Sequence, residues 1–99
     1  LPLAQGLVIQ NDNASPPRDE YAPYTITGQV KNTGNAPAES VSILAIAYDK
    51  AGKPVAVQQG YAERERIGPG KTSPFSVAIY DESQTIAKYE LYVEGMEAE

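Results

Sequence analysis

Oxygen-bearing side chains crowd one stretch of this sequence, where Asn11, Asp12, Asn13, Asp19 and Glu20 follow one another closely. Hard cations such as calcium take about six to eight oxygen ligands, so a cation site is the first chemistry to test here. The spacing fits no EF-hand loop, and Asx-rich loops arise from turn chemistry alone, because Asn and Asp side chains bond their own backbone. A solvated loop accounts for the cluster, and no metal is expected. Glycoside hydrolysis needs two carboxyl groups about 5 to 10 Å apart in a cleft. Glu63 with Glu65, and Glu90 with Glu94, are instead same-face strand neighbours with Arg64, Arg66 and Lys88 close by, as on a wet face.

The sequence contains no histidine and no cysteine. That removes disulfides, thiol chemistry, imidazole-ligated metals and every triad built on histidine. Ser40, Ser73, Ser76 and Ser83 lack a histidine to activate them, and none sits in a Gly-x-Ser-x-Gly turn. Gly68-Pro69-Gly70-Lys71 lacks the spacing and the following helix of a phosphate loop. Neither an enzyme nor a cofactor is expected. Asp49, at the start of a hairpin, is read as a cap for backbone N–H groups.

Seven tyrosines stand against one phenylalanine and no tryptophan. Alternation places Tyr24 and Tyr89 on core faces, where a phenol packs its ring and lets the hydroxyl reach water. It turns Leu44, Ile46, Tyr48, Tyr80 and Tyr92 outward. On one sheet face these five make an amphipathic surface suited to a protein partner, a neighbouring domain or a sugar ring. The competing reading is scattered cross-strand aromatic pairs that stabilise the sheet.

The element that must position them is Ala38 to Gly52, a long central β-strand ending in a hairpin turn, entered through Asn32-Thr33-Gly34-Asn35. Its inward set is Val41, Ile43, Ala45 and Ala47, and its other face carries Ser42, Leu44, Ile46 and Tyr48. Both faces are apolar, so either the strand is covered on both sides or Leu44, Ile46 and Tyr48 form an exposed patch. Leu3 to Ile9 reads as an edge or sheet-switching first strand. Asn11 to Pro23, with Pro16 and Pro17 adjacent, reads as a surface loop. Tyr24 to Lys31 alternates cleanly, with Gly28 on the buried face, where a missing side chain lets a bulky neighbour approach.

After the hairpin Asp49 to Pro54, the return strand runs from Pro54 to Tyr61, and Glu63 to Arg66 finishes it on a charged, solvated edge. Ile67 to Lys71 is a tight turn. A strand with Phe75, Val77 and Ile79 inward follows, then the polar turn Asp81 to Gln84 and a last strand from Ile86 to Glu94. Apolar spacing of three and four never persists, so the chain is all-β. The expected fold is an immunoglobulin-like antiparallel β-sandwich of six to seven strands, a single domain over residues 1–99.

The order Tyr24-x-Ile26-x-Gly28-x-Val30-x-Asn32-x-Gly34, then Ala38 and Val41, Tyr48-Asp49-x-x-Gly52, Gly68-Pro69-Gly70 and Phe75-x-Val77 resembles the FxLYD domain and its CARDB-like relatives among bacterial and archaeal surface modules. The resemblance covers Tyr24 to Leu91; Ala45 and Ala47 stand where the namesake motif has Phe and Leu, while Tyr48 and Asp49 match. It implies a non-enzymatic extracytoplasmic domain, anchored to or repeated on the cell surface, with no set ligand site.

Thirteen acidic and eight basic side chains give a net charge of -5. No basic stripe suits a phosphate backbone, so no nucleic-acid partner is expected. The longest apolar run, Ile43 to Tyr48, is far short of the ~20 residues that span a bilayer, and membrane contact is expected only through an anchor outside this chain, as in a lipoprotein. The chain opens at Leu1 without Met and is read as excised from a longer envelope or secreted protein. The leading expectation is a structural or spacer module of a cell-surface protein. The alternative is a module that binds a protein or carbohydrate through the tyrosine-bearing face, with self-association through that face or an uncovered strand edge.

Overall fold

The computed structural model describes residues 2–19, 21–81 and 85–98. Seven strands form: β1 (Leu7–Ser15), β2 (Tyr24–Asn32), β3 (Ala38–Tyr48), β4 (Pro54–Tyr61), β5 (Arg66–Ile67), β6 (Thr72–Ile79) and β7 (Lys88–Glu97). They make a three-stranded sheet, β1-β2-β6, and a four-stranded sheet in which β3 pairs with β4 and β5 along one side and β7 along the other. All pairings are antiparallel, and the two sheets pack as a β-sandwich.

Alternation explains the core. Ile26 and Val30 from β2, Ile43, Ala45 and Ala47 from β3, and Phe75, Val77 and Ile79 from β6 are buried between the sheets. Fully burying one of the larger side chains contributes about 1.5–3 kcal/mol. Gly28 lies opposite Phe75, and a Cβ on Gly28 would come within 2.9 Å of the Phe75 ring. The missing side chain therefore makes room for the one phenylalanine, as the sequence suggests.

Three boundaries differ from the sequence reading. The first strand is not Leu3 to Ile9: β1 continues through Asn11, Asp12 and Asn13 to Ser15, and the loop begins only after it. A register shift between Gln10 and Asn13, with Asn11 at φ 54°, absorbs an extra residue, which Asn tolerates better than most side chains. Glu63 to Arg66 does not finish β4. The chain leaves β4 at Tyr61, crosses to β6 through Glu63 N–H donating to the Pro74 carbonyl, and pairs Arg66 and Ile67 with Glu39 and Ala38. Ile67 is consequently a fully buried core residue and no mere turn position. The last strand starts at Lys88 and runs past Glu94 to Glu97.

The two open sides of the sandwich are closed differently. On one, Ala62 bridges Phe75 and Gly60 packs against Val77, joining β4 to β6. On the other, β1 and β7 do not pair. The backbone of Pro2–Ala4 crosses there, with Ala4 N–H donating to the Gly95 carbonyl and Glu97 N–H to that of Pro2. The first and last described segments thus lie side by side at one end of a body 44 × 23 × 20 Å across.

Two polar side chains, Asn32 and Ser73, sit deep in this frame. Asn32 is fully buried, and its amide donates to the carbonyls of Ala36 (2.8 Å) and Ile67 (2.9 Å) while its Oδ1 accepts from Gly34 N–H (2.9 Å). It satisfies the β2–β3 turn and ties it to β5.

Candidate functional site

The outer face of the four-stranded sheet is set by register. Across β4, β3 and β7 its rows read Tyr61–Ser42–Glu94, Gln59–Leu44–Tyr92, Val57–Ile46–Glu90 and Pro54–Tyr48–Lys88. Leu44, Ile46, Tyr48 and Tyr92 are brought together here. Among the described residues nothing packs over this face: Leu44 is 38% exposed and Tyr92 51%, while Ile46 and Tyr48 are half-buried.

Tyr80 is not part of the group. It follows β6, in the opposite sheet, and is 72% exposed there. Alternation gives the side of a strand, and Tyr80 does point outward, but from the other layer.

β4 supplies residues that the sequence reading did not single out. Val57 is 60% exposed beside Ile46, Tyr61 is 63% exposed beside Ser42, and Val55 shares their face by strand alternation. The signal was available: counting back across the hairpin from Asp49 places alternate β4 residues over Leu44 and Ile46. Asp49 itself holds that hairpin. Its Oδ1 accepts from the N–H groups of Ala51 and Lys53, both at 2.9 Å, and Gly52 N–H donates to its carbonyl with Gly52 at φ 84°.

Polar groups rim the β7 side. Tyr92 donates its phenol to Glu90 Oε2 at 3.2 Å, and Lys88 Nζ stands 5.8 Å from the centroid of the Tyr48 ring. Hydrogen bonding to Glu90 raises the phenols of both Tyr48 and Tyr92 above the ordinary tyrosine value, because the neighbouring carboxylate opposes a second negative charge. Both stay protonated as donors at neutral pH. The face is therefore an apolar strip with a phenol on β3 and a phenol and carboxylates along its β7 border.

The other candidates resolve into structure. Asp19 Oδ1 accepts from Tyr21 and Ala22 N–H groups, at 2.8 and 3.0 Å, which is the turn chemistry expected of that loop. Asp12 accepts from Tyr89, and Asn11 forms the β1 bulge. Glu20, and Glu82, Ser83 and Gln84 of the expected polar turn, lie outside the described residues. Among the described residues no group of three or more Asp or Glu stands close enough to hold a metal ion. Ser73 Oγ accepts from Arg64 N–H and donates to the Pro74 carbonyl. A cleft of about 320 Å³ between Pro16, Pro17, Tyr24, Asp81, Ile86 and Ala87 brings one carboxylate, that of Asp81, among the described residues.

Tyr24 and Tyr89 are half-buried, their rings edge to face at 6.5 Å and 67°. Tyr89 donates to Asp12 Oδ2 at 2.7 Å, and burial together with that bond pushes its phenol up to about 12.

Fold and face together define an all-β sandwich with an uncovered apolar strip on one sheet. No family model, curated protein or solved structure matches the chain.

Proposed function

We propose that the chain is a non-enzymatic, extracytoplasmic structural module of a cell-surface protein that docks against a protein surface, in the first place a neighbouring domain, through the outer face of its four-stranded sheet. The observation that carries this reading is the gathering of Leu44, Val55, Val57, Tyr61 and Tyr92, all exposed, on one face. Contiguous exposed apolar surface rimmed by polar groups marks interaction sites. Three of these five residues are aliphatic, which favours a protein partner over a sugar, since sugar rings stack on aromatic faces.

The extracytoplasmic placement draws support from the resemblance to FxLYD and CARDB-like modules, the cysteine-free composition being compatible with either compartment. The closeness of Pro2–Ala4 to Gly95–Ala98 favours a module that projects from its chain over one that lengthens it in series. A carbohydrate site is the second reading, favoured by the exposed rings of Tyr92, beside Leu44, and Tyr61, one row away beside Ser42.

Amide chemical-shift mapping separates these readings, with neighbouring domains of the same polypeptide and soluble cell-wall glycans as titrants. Perturbation at Leu44, Val57, Tyr61 and Tyr92 on adding a neighbouring domain, lost in Leu44→Lys, supports docking. Perturbation there by a glycan alone moves the assignment to carbohydrate, and an unresponsive face under both titrants overturns the binding function.

A further inference from the structure

The open edges of β1 and β4 carry a bulge or a proline, whereas β7 from Lys88 to Glu94 carries neither and is marked only by charges on its outer face. β1 has its bulge at Asn11, and β4 begins at Pro54 and closes toward β6 through Gly60 and Ala62. Bulges, prolines and covering segments are how sheets protect their edges. The outer edge of β7 is occupied only beyond Gly95, by Pro2–Ala4. From Lys88 to Glu94 the strand keeps one unbroken register with β3, contains neither proline nor glycine, and has no second strand beside it among the described residues. Its inward residues Tyr89, Leu91 and Val93 remain half-buried, whereas Ile43, Ala45 and Ala47 beside them on β3 are fully buried.

We infer that this edge pairs with β7 of a second copy of the chain, antiparallel about a two-fold axis at Leu91. The free stretch, Lys88 to Glu94, has Leu91 at its midpoint. Gly95 accepts and Glu97 donates along the outer edge, and strand alternation turns the N–H and C=O of Tyr89, Leu91 and Val93 the same way. Leu91 would therefore exchange both backbone hydrogen bonds with its symmetry mate, and Tyr89 with Val93.

Charge disfavours the two adjacent registers, and centring on Tyr89, which also avoids like charges, overlaps only Lys88 to Glu90 of the strand. A two-fold at Leu91 sets Lys88 opposite Glu94 twice and Glu90 opposite Tyr92, so no like charges meet. Centring on Glu90 sets that residue against itself, and centring on Tyr92 sets Glu90 against Glu94; like charges directly opposite are destabilising. A shift to Val93 runs the incoming strand into Pro2–Ala4. The paired β7 strands also extend the apolar layer over Tyr89, Leu91 and Val93, and the contact is isologous, so it closes as a dimer instead of growing into a filament. The backbone groups it uses, on Tyr89, Leu91 and Val93, belong to the edge of the sheet, while its charge pair Lys88 and Glu94 stands at the border of the face assigned above.

The test is sedimentation equilibrium of the whole chain from micromolar to millimolar concentration, with charge reversal at the pair. The chain should dimerise reversibly. Lys88→Glu and Glu94→Lys, both at exposed positions, should each weaken the dimer by about tenfold, because two attractive cross-strand pairs become repulsive. The double variant, with the charges exchanged, should return association to the parental level, which a folding defect or the loss of the Lys88–Tyr48 contact cannot mimic. A chain that stays monomeric throughout overturns the inference, as does a double variant no tighter than the singles. Because perturbations here would fall on the Leu91 and Val93 amides and not on Leu44 and Val57, loss of the dimer and loss of the docking face are distinguishable.

Discussion

The phenol of Tyr89 donates a 2.7 Å hydrogen bond to the carboxylate of Asp12, joining β7 to β1 across the side of the sandwich where those strands do not pair. The folded phenol is raised to about 12 from an unfolded value near 10. A group raised in this way contributes stability that is fully present below pH about 10 and is lost as pH climbs through about 12. Tyr89→Phe should cost about 0.5–1.5 kcal/mol at neutral pH, the partners being largely solvated. In an alkaline titration of tyrosinate absorbance it should delete the latest-ionising component; survival of that component in Tyr89→Phe assigns it elsewhere.

Gly28 and Phe75 fit closely together across β2 and β6. A methyl group on Gly28 would meet the ring at 2.9 Å and the Asp12 Cα at 3.1 Å, and the second contact is backbone, which cannot rotate away. Gly28→Ala should therefore destabilise by about 1–3 kcal/mol through overpacking. Phe75→Ala should cost about 3–5 kcal/mol by leaving a cavity. Denaturant midpoints measure both, and a Gly28→Ala variant as stable as the parent would show that β1 yields at its bulge.

Periodicity carried most of this architecture. Tyr24, Ile26, Gly28 and Val30, the inward set of β3, and Phe75, Val77 and Ile79 were legible because a half-buried strand alternates, and all but Tyr24 and Gly28 are buried outright. Alternation reports which side of a strand a residue occupies, and it is silent about which sheet the strand joins. That is why Tyr80 was grouped with Leu44 although it stands in the opposite layer, and why Val57, readable only through hairpin register, was missed. The polar run Asn11 to Ser15 hid a strand because an edge with a bulge needs little apolar content.

Asn32 shows a further limit. Its sequence neighbourhood, Asn-x-Gly, reads as a turn, and the bond that makes it a structural clamp goes to Ile67, 35 residues away. Asn32→Ala leaves the buried Ile67 carbonyl without that donor and should cost about 2–4 kcal/mol. Asn32→Asp should be worse at neutral pH than at low pH. A carboxylate facing two carbonyls is held protonated, so its folded value is raised above the unfolded one, and the lost stability appears as pH rises through the carboxylate range. Thermal melts of Asn32→Asp at acidic and neutral pH check the sign; a variant more stable at neutral pH contradicts the clamp.

Glu90 is shared by Tyr48 and Tyr92 at the border of the exposed strip, and it is the main reason both phenols are raised. Glu90→Gln removes the negative charge but keeps an acceptor of the same shape, so both tyrosines should fall back toward the ordinary value while the fold stays intact. The exposed positions of the two rings mean that stability should change little. A tyrosinate titration of Glu90→Gln should therefore shift two phenols downward and leave the late Tyr89 component where it was. If docking uses these phenols as donors, the variant should also weaken binding only above neutral pH, where the parental phenols remain protonated and the freed ones begin to ionise. A binding loss equal at all pH values would instead assign the contact to the Glu90 carboxylate itself.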